Sequence, residues 1–71
     1  MIDVSLFGAG LIGSVHAANL ARHPGVRLRY IVDPHRPAAE RIATETGAEI
    51  ADAATVLADP AVKALVIASA T

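Results

Sequence analysis

Gly8, Gly10 and Gly13 form a glycine-x-glycine-x-x-glycine pattern that follows the apolar run at residues 4–7 and opens a stretch with helical spacing. Placed between a strand and a helix, the pattern is far more restrictive than the bare motif. Gly8 permits the tight turn off the strand. Gly10 leaves room for a pyrophosphate to approach the backbone, and Gly13 lets the helix pack closely on the sheet. A helix beginning near Leu11 or Ile12 has unpaired amides in its first turn, reinforced by the helix dipole, so a phosphate can sit there without any lysine. No Gly-Lys-Ser/Thr ending follows, which argues against nucleoside triphosphate hydrolysis and for a dinucleotide.

A second strand at residues 27–32 ends in Asp33, twenty residues beyond Gly13. That is the separation expected of an acidic ribose contact. A carboxylate at this strand tip can accept from both adenosine ribose hydroxyls and repels a 2′-phosphate, so NAD is favoured over NADP. Pro34 turns the chain, and His35 and Arg36 follow closely enough to border an adenine pocket. There Arg36 could cover the base or help with a phosphate, and pairing with a 2′-phosphate would open NADP use as well. The alternative for His35 and Arg36 is a solvated turn before the next helix. For the whole pattern, the bland reading is that the glycines are ordinary turn residues and Asp33 merely ends a strand. The combination of turn, strand, helix and spaced carboxylate weighs against it.

The remaining chain alternates in kind. Residues 2–7 read as a central strand buried on both faces, with Asp3 at its solvent end. Residues 12 to about 23 read as a helix whose seam is Gly13, Ala17 and Ala21, flanked by Ile12, Val15 and Leu20. His23-Pro24-Gly25 stops it, and His23 suits the C-terminal end of the dipole. Strand alternation puts Val26, Leu28, Tyr30 and Val32 on one face, with Arg27, Arg29 and Ile31 on the other. Pro37 opens a helix to about Thr46 that contacts the sheet through Ala38, Ala39, Ile42 and Ala43 and is ended by Gly47. A short edge strand at 48–51 follows, then a helix capped by Asp52 and anchored by Val56 and Leu57. Asp59-Pro60 breaks that helix, and residues 64–68 form a fourth strand beside the first. The expected fold class is α/β, the N-terminal half of a doubly wound parallel sheet in order 3-2-1-4, with ligand outside the C-terminal strand ends where the order reverses.

Seventy-one residues accommodate one half of such a fold, so the chain reads as a partial dinucleotide-binding domain within a longer polypeptide. Were the polypeptide to end at Thr71, the outer edge of the fourth strand, with Val66 and Ile67, should drive self-association. A core of Ala, Val, Leu and Ile is implied by a 54% hydrophobic share that includes one Phe, one Tyr and no Trp. With a net charge of −1 and six Lys/Arg scattered among seven Asp/Glu, there is no field to hold a nucleic-acid backbone. Zero cysteines leave no disulfide framework and no thiolate chemistry, and neither a signal peptide nor a membrane span is expected. A cytoplasmic location is compatible with all of this.

Few other residues carry chemistry. His16, His23 and His35 fall on or beside different elements, so a metal site is not expected, and His16 suits a helix surface or an interdomain contact. Ser69 and Thr71 carry hydroxyls at the ligand end of the fourth strand, within reach of a cofactor ribose or pyrophosphate. Neither has a His/Asp arrangement in sequence that would make it a nucleophile. No general acid or base pair is visible. A non-catalytic NAD-sensing or regulatory protein is therefore the alternative to a dehydrogenase.

Residues 4–20, the later Val32-Asp33-Pro34 and the ending Val66-Ile67-Ala68-Ser69-Ala70-Thr71 resemble the N-terminus of the glucose-fructose oxidoreductase and inositol dehydrogenase family. The resemblance covers the entire chain. It implies a protein of several hundred residues with an N-terminal nucleotide-binding domain and a C-terminal α/β domain, assembled as a homo-oligomer. Such enzymes oxidise or reduce a small-molecule sugar or polyol hydroxyl with NAD(P). By similarity, Gly8, Gly10, Gly13 and Asp33 match the cofactor motif, and Ser69, Ala70 and Thr71 match a loop bordering the cofactor. Leu11 stands where related inositol dehydrogenases often have arginine, and Ala70 where many wider relatives have proline. Those departures bear on the substrate rather than on the cofactor. The family's Glu-Lys-Pro segment and its later aspartate and histidine have no counterpart in residues 1–71.

Overall fold

The computed structural model describes residues 1–68, and the expected cofactor contacts Ser69, Ala70 and Thr71 lie outside the described residues. In chain order the elements are β1 (Ile2–Phe7), α1 (Leu11–Arg22), β2 (Val26–Val32), α2 (Arg36–Thr46), β3 (Glu49–Ile50), α3 (Ala53–Ala58) and β4 (Val62–Ile67). All three strand pairings are parallel, and the sheet order is β3-β2-β1-β4. This is the expected α/β Rossmann-type half-sheet. Consecutive parallel strands joined through helices return with one handedness, so β4 lands beside β1 and the order reverses between them.

Local chemistry sets the boundaries. Gly47 adopts φ +79°, the left-handed conformation that ends a helix at little steric cost, and its amide donates to Ala43. Asp52 accepts from the Thr55 amide at 2.8 Å and caps α3 as expected. His23 does its work in the turn: its amide donates to the Leu20 carbonyl, and its Nδ1 accepts from the Gly25 amide at 3.1 Å. β3 is only two residues long, shorter than the 48–51 expected. β4 runs from 62 to 67 rather than 64 to 68 because Asp59 closes the preceding turn itself. Its Oδ1 accepts from the Ala61 amide and its carbonyl from the Val62 amide, so the chain is already paired with Asp3 at Val62.

Strict alternation along β2 fails at Arg29. Val4 pairs with Leu28 and Ser5 with Tyr30, so Arg29 has no partner on β1 and forms a bulge. The extra residue brings Leu28 and Ile31, expected on opposite faces, into one core cluster with Leu6, Ala17, Ala39 and Ile42. Tyr30 points elsewhere and reaches Asp59. A second slip, between Asp3 and Val4 in the pairing with β4, leaves Lys63 unmatched.

α1 and α2 cover the Leu6–Ile31 face. Gly13 and Ala17 are buried as expected, but Ala21, Ile12 and Val15 are exposed, so the α1 seam is narrower than its small-residue spacing suggests. On α2, Ala39 and Ile42 are buried, with Ala38 and Ala43 packed beside them. α3 anchors through Val56 alone, which is 1% exposed, while Leu57 is 71% exposed. A six-residue helix has one inward position, and its neighbour must point out. At the outer strand, Val66 packs against the core, whereas Leu65 and Ile67 are exposed. No helix among the described residues is long and apolar enough to cross a membrane.

Candidate functional site

The C-terminal ends of three strands meet beneath the glycine turn. The Gly8 amide donates to the Val32 carbonyl at 2.9 Å, and the Ala68 amide donates to the Phe7 carbonyl at 2.7 Å. These bonds carry β2 and β4 up to the level at which β1 turns away. Gly8 makes that turn at φ +111°, a conformation side-chain-bearing residues rarely adopt.

α1 starts immediately afterwards, with Gly10 as its N-cap and no side chain satisfying the cap. The first helical bond is from the Ser14 amide to the Gly10 carbonyl at 2.8 Å. The amides ahead of it have no intrahelical acceptor and carry the positive end of the dipole. The two later glycines serve opposite needs. A Cβ on Gly13 would collide with the Gly8 carbonyl oxygen, so helix and turn are in backbone contact there. A Cβ on Gly10 would meet nothing within 4 Å. Gly10 faces open space, into which a ligand can approach the main chain.

Asp33 stands across from this turn. Its Oδ2 accepts from the Ala9 amide at 2.6 Å and its Oδ1 from the His35 amide at 2.7 Å. These two bonds, the one from Ala9 foremost, hold the carboxyl below the ordinary carboxylate range, so it is ionised at neutral pH. A carboxylate offers about four acceptor positions, and two backbone donors leave room for two more hydroxyls.

Gly8, Gly10, Leu11, Ile12, Asp33, Pro34 and Ala68 line a single cleft of about 670 Å³. Six of the residues singled out in the sequence thus share one surface. Gly13 does not line the cleft and acts by packing. His35 enters through its backbone amide, and Arg36 is the exposed first residue of α2. Ala9 and Ala68 were not among the expected site residues. Each contributes through backbone or position rather than side-chain chemistry, so residue type carries no signal for either. His16 is exposed on α1, and among the described residues no group of three His, Cys, Asp or Glu gathers to hold a metal. The arrangement suits a ligand that carries both an anionic group, for the bare amides, and a diol, for the carboxylate.

A family model described as an oxidoreductase family with an NAD-binding Rossmann fold matches residues 2–71. Among solved structures, a Sinorhizobium meliloti 1021 protein assigned as a myo-inositol dehydrogenase aligns at TM-score 0.95 and 34% identity, over 100% of this chain and 22% of its own. A myo-inositol dehydrogenase from Corynebacterium glutamicum ATCC 13032 aligns at TM-score 0.89 and 41% identity, over 99% of this chain and 21% of its own. GenD2 from gentamicin A biosynthesis, solved in complex with NAD, aligns at TM-score 0.90 and 35% identity, over 96% and 20%. The chain therefore spans about a fifth of the length of these structures. No curated protein matches it.

Proposed function

The chain belongs to the oxidoreductase family with an NAD-binding Rossmann fold, and from that premise we propose that its protein is a dehydrogenase acting on a sugar or polyol hydroxyl. Within that class we propose an inositol 2-dehydrogenase. The observation that carries the reading is Asp33, an ionised carboxylate with acceptor capacity to spare, on the same cleft as the open Gly10 backbone.

In this reading the amides of Gly10, Leu11 and Ile12 receive the diphosphate, and the Asp33 oxygens accept from the two adenosine ribose hydroxyls. Pro34, His35 and Arg36 flank the adenine, Gly8 and Gly13 fix the turn, and Ser69, Ala70 and Thr71, by family resemblance alone, are further cofactor contacts. When bound, the dinucleotide supplies the hydride acceptor for a carbinol that becomes a carbonyl, its hydroxyl proton leaving to a base outside residues 1–71. NADP is disfavoured because its 2′-phosphate would face the Asp33 charge.

Of the three structures described above, two carry the name myo-inositol dehydrogenase and the third comes from gentamicin A biosynthesis. The two myo-inositol dehydrogenases support a hydroxylated ring as the substrate class. Homo-oligomeric assembly and a cytoplasmic location accompany the reading. The test is titration of the intact protein with NAD and NADP, repeated with Asp33→Ala, alongside turnover assays with myo-inositol and aldoses. NAD preference should collapse in the variant. An unchanged preference removes Asp33 from the ribose, and a protein that binds neither dinucleotide overturns the reading.

A further inference from the structure

The Ala9 amide lies inside the glycine turn, between Gly8 and Gly10, and donates to the Asp33 carboxylate at 2.6 Å. The residues are 24 apart in sequence and belong to different strand-to-helix junctions. The same carboxylate accepts from the His35 amide at 2.7 Å, which ties it to the start of α2 as well. Charge-assisted bonds of this length are the stronger kind. Beyond the burial of Ala9, the Gly8 bond to Val32 and the Ser14 bonds to the Gly10 carbonyl, the turn has few ties of its own. Gly10 supplies no side-chain cap, glycine backbones explore the widest conformational range, and Leu11 and Ile12 are exposed.

Resting on the cofactor reading above, we infer that Asp33 is a positioning residue for the glycine turn, holding it in its ligand-accepting shape through Ala9 before any cofactor arrives. Its ribose contact is then a second duty of the same carboxylate. Two lone pairs hold backbone and two are left for the diol. Removal of the carboxylate costs affinity at the diphosphate as well as at the ribose, so a substitution that lifts the repulsion toward NADP also loosens the turn that must bind it.

Inorganic pyrophosphate separates the two duties, because it engages the turn and has no ribose. In the intact protein without cofactor, hydrogen exchange is followed at Ala9 and over Leu11 and Ile12. Asp33→Ala should accelerate exchange at Ala9 by about tenfold or more, as loss of a hydrogen bond to a charged group does, and should weaken pyrophosphate binding. Asp33→Asn keeps an acceptor oxygen for Ala9 and should restore much of the protection while still losing preference for NAD. In the native protein the Ala9 amide proton resonance should move as Asp33 protonates, with its inflection below the ordinary carboxylate value. If Asp33→Ala abolishes NAD preference but leaves both Ala9 exchange and pyrophosphate affinity unchanged, the tether is overturned and the ribose contact stands. If NAD protects neither Leu11 nor Ile12 in the native protein, the cofactor reading fails and the inference fails with it.

Discussion

The Tyr30 hydroxyl donates to Asp59 Oδ2 at 2.7 Å, joining the middle of β2 to the turn between α3 and β4. Arg29 donates to the same oxygen at 2.9 Å and lies 5.1 Å from the Tyr30 ring centroid. Arg29 also faces Asp3, which Arg27 grips with two nitrogens at 2.8 and 3.1 Å. One chain of charge thus links β1, β2 and the α3–β4 turn. Donation from Tyr30, the Ala61 amide and Arg29 lowers the Asp59 carboxyl to about 2. Its folded value is depressed, so its stabilisation is complete above the unfolded carboxylate value of about 3.9 and is lost as pH falls toward about 2. Tyr30 is raised, chiefly by the same bond, so its share is complete below the ordinary phenol value and lost as pH rises past it. Urea midpoints measured against pH should therefore fall at both extremes. Tyr30→Phe should flatten both limbs, and an unaltered acid limb in that variant would show that the hydroxyl does not hold Asp59.

Gly10 and Gly13 predict opposite phenotypes for one methyl group. At Gly13 the added carbon meets the Gly8 carbonyl, which is backbone and cannot step aside. Gly13→Ala should cost on the order of 3 kcal/mol, the upper range for overpacking, seen as a lowered urea midpoint without ligand. Gly10→Ala has open space within 4 Å and should fold with a near-native midpoint while losing NAD affinity by isothermal titration. Equal stability losses in the two variants would refute the division of labour between them.

Much of this was legible in the chain, and what was not has a common cause. The places of the glycine turn and of Asp33 could be read because they follow from local geometry: φ +111° at Gly8, a backbone contact at Gly13, a carboxylate at a strand tip. The strand order followed from alternating elements and the handedness of crossovers. The faces of β2 could not be read past Arg29, because a bulge is a property of two strands in register and leaves no mark in one strand's alternation. Asp59 reads as a helix breaker, since its partners Tyr30 and Arg29 lie about thirty residues away. Val56 and Leu57 are adjacent and equally apolar, and periodicity over a six-residue helix cannot choose between them.

Ser5 is fully buried on β1, and among the described residues its hydroxyl has no hydrogen-bond partner. It sits opposite Tyr30 on one side and Leu65 on the other, where an apolar side chain would serve. A buried hydroxyl without a partner bears a desolvation cost with nothing to offset it. Ser5→Ala should therefore raise stability, by about 1 kcal/mol, read from the urea midpoint at unchanged m-value. A loss of stability of that size would mean the hydroxyl does have a partner in solution.

α3 is attached to the sheet at few points, and Val56 is the one that excludes water. Val56 is 1% exposed, Leu57 is 71% exposed, and beyond its C-terminal end Asp59 accepts from Tyr30 and Arg29 of β2. Val56→Ala removes two buried methyl groups' worth of contact and should cost about 2 kcal/mol. Leu57→Ala should stay within about 0.5 kcal/mol of the native protein. Hydrogen exchange over residues 53–58 adds the local view: it should speed up in Val56→Ala more than exchange in β1, because the helix can open before the sheet does. Comparable losses for both variants would mean that Leu57 is covered in the intact protein, so the pair also reports whether another segment packs over this side of the helix.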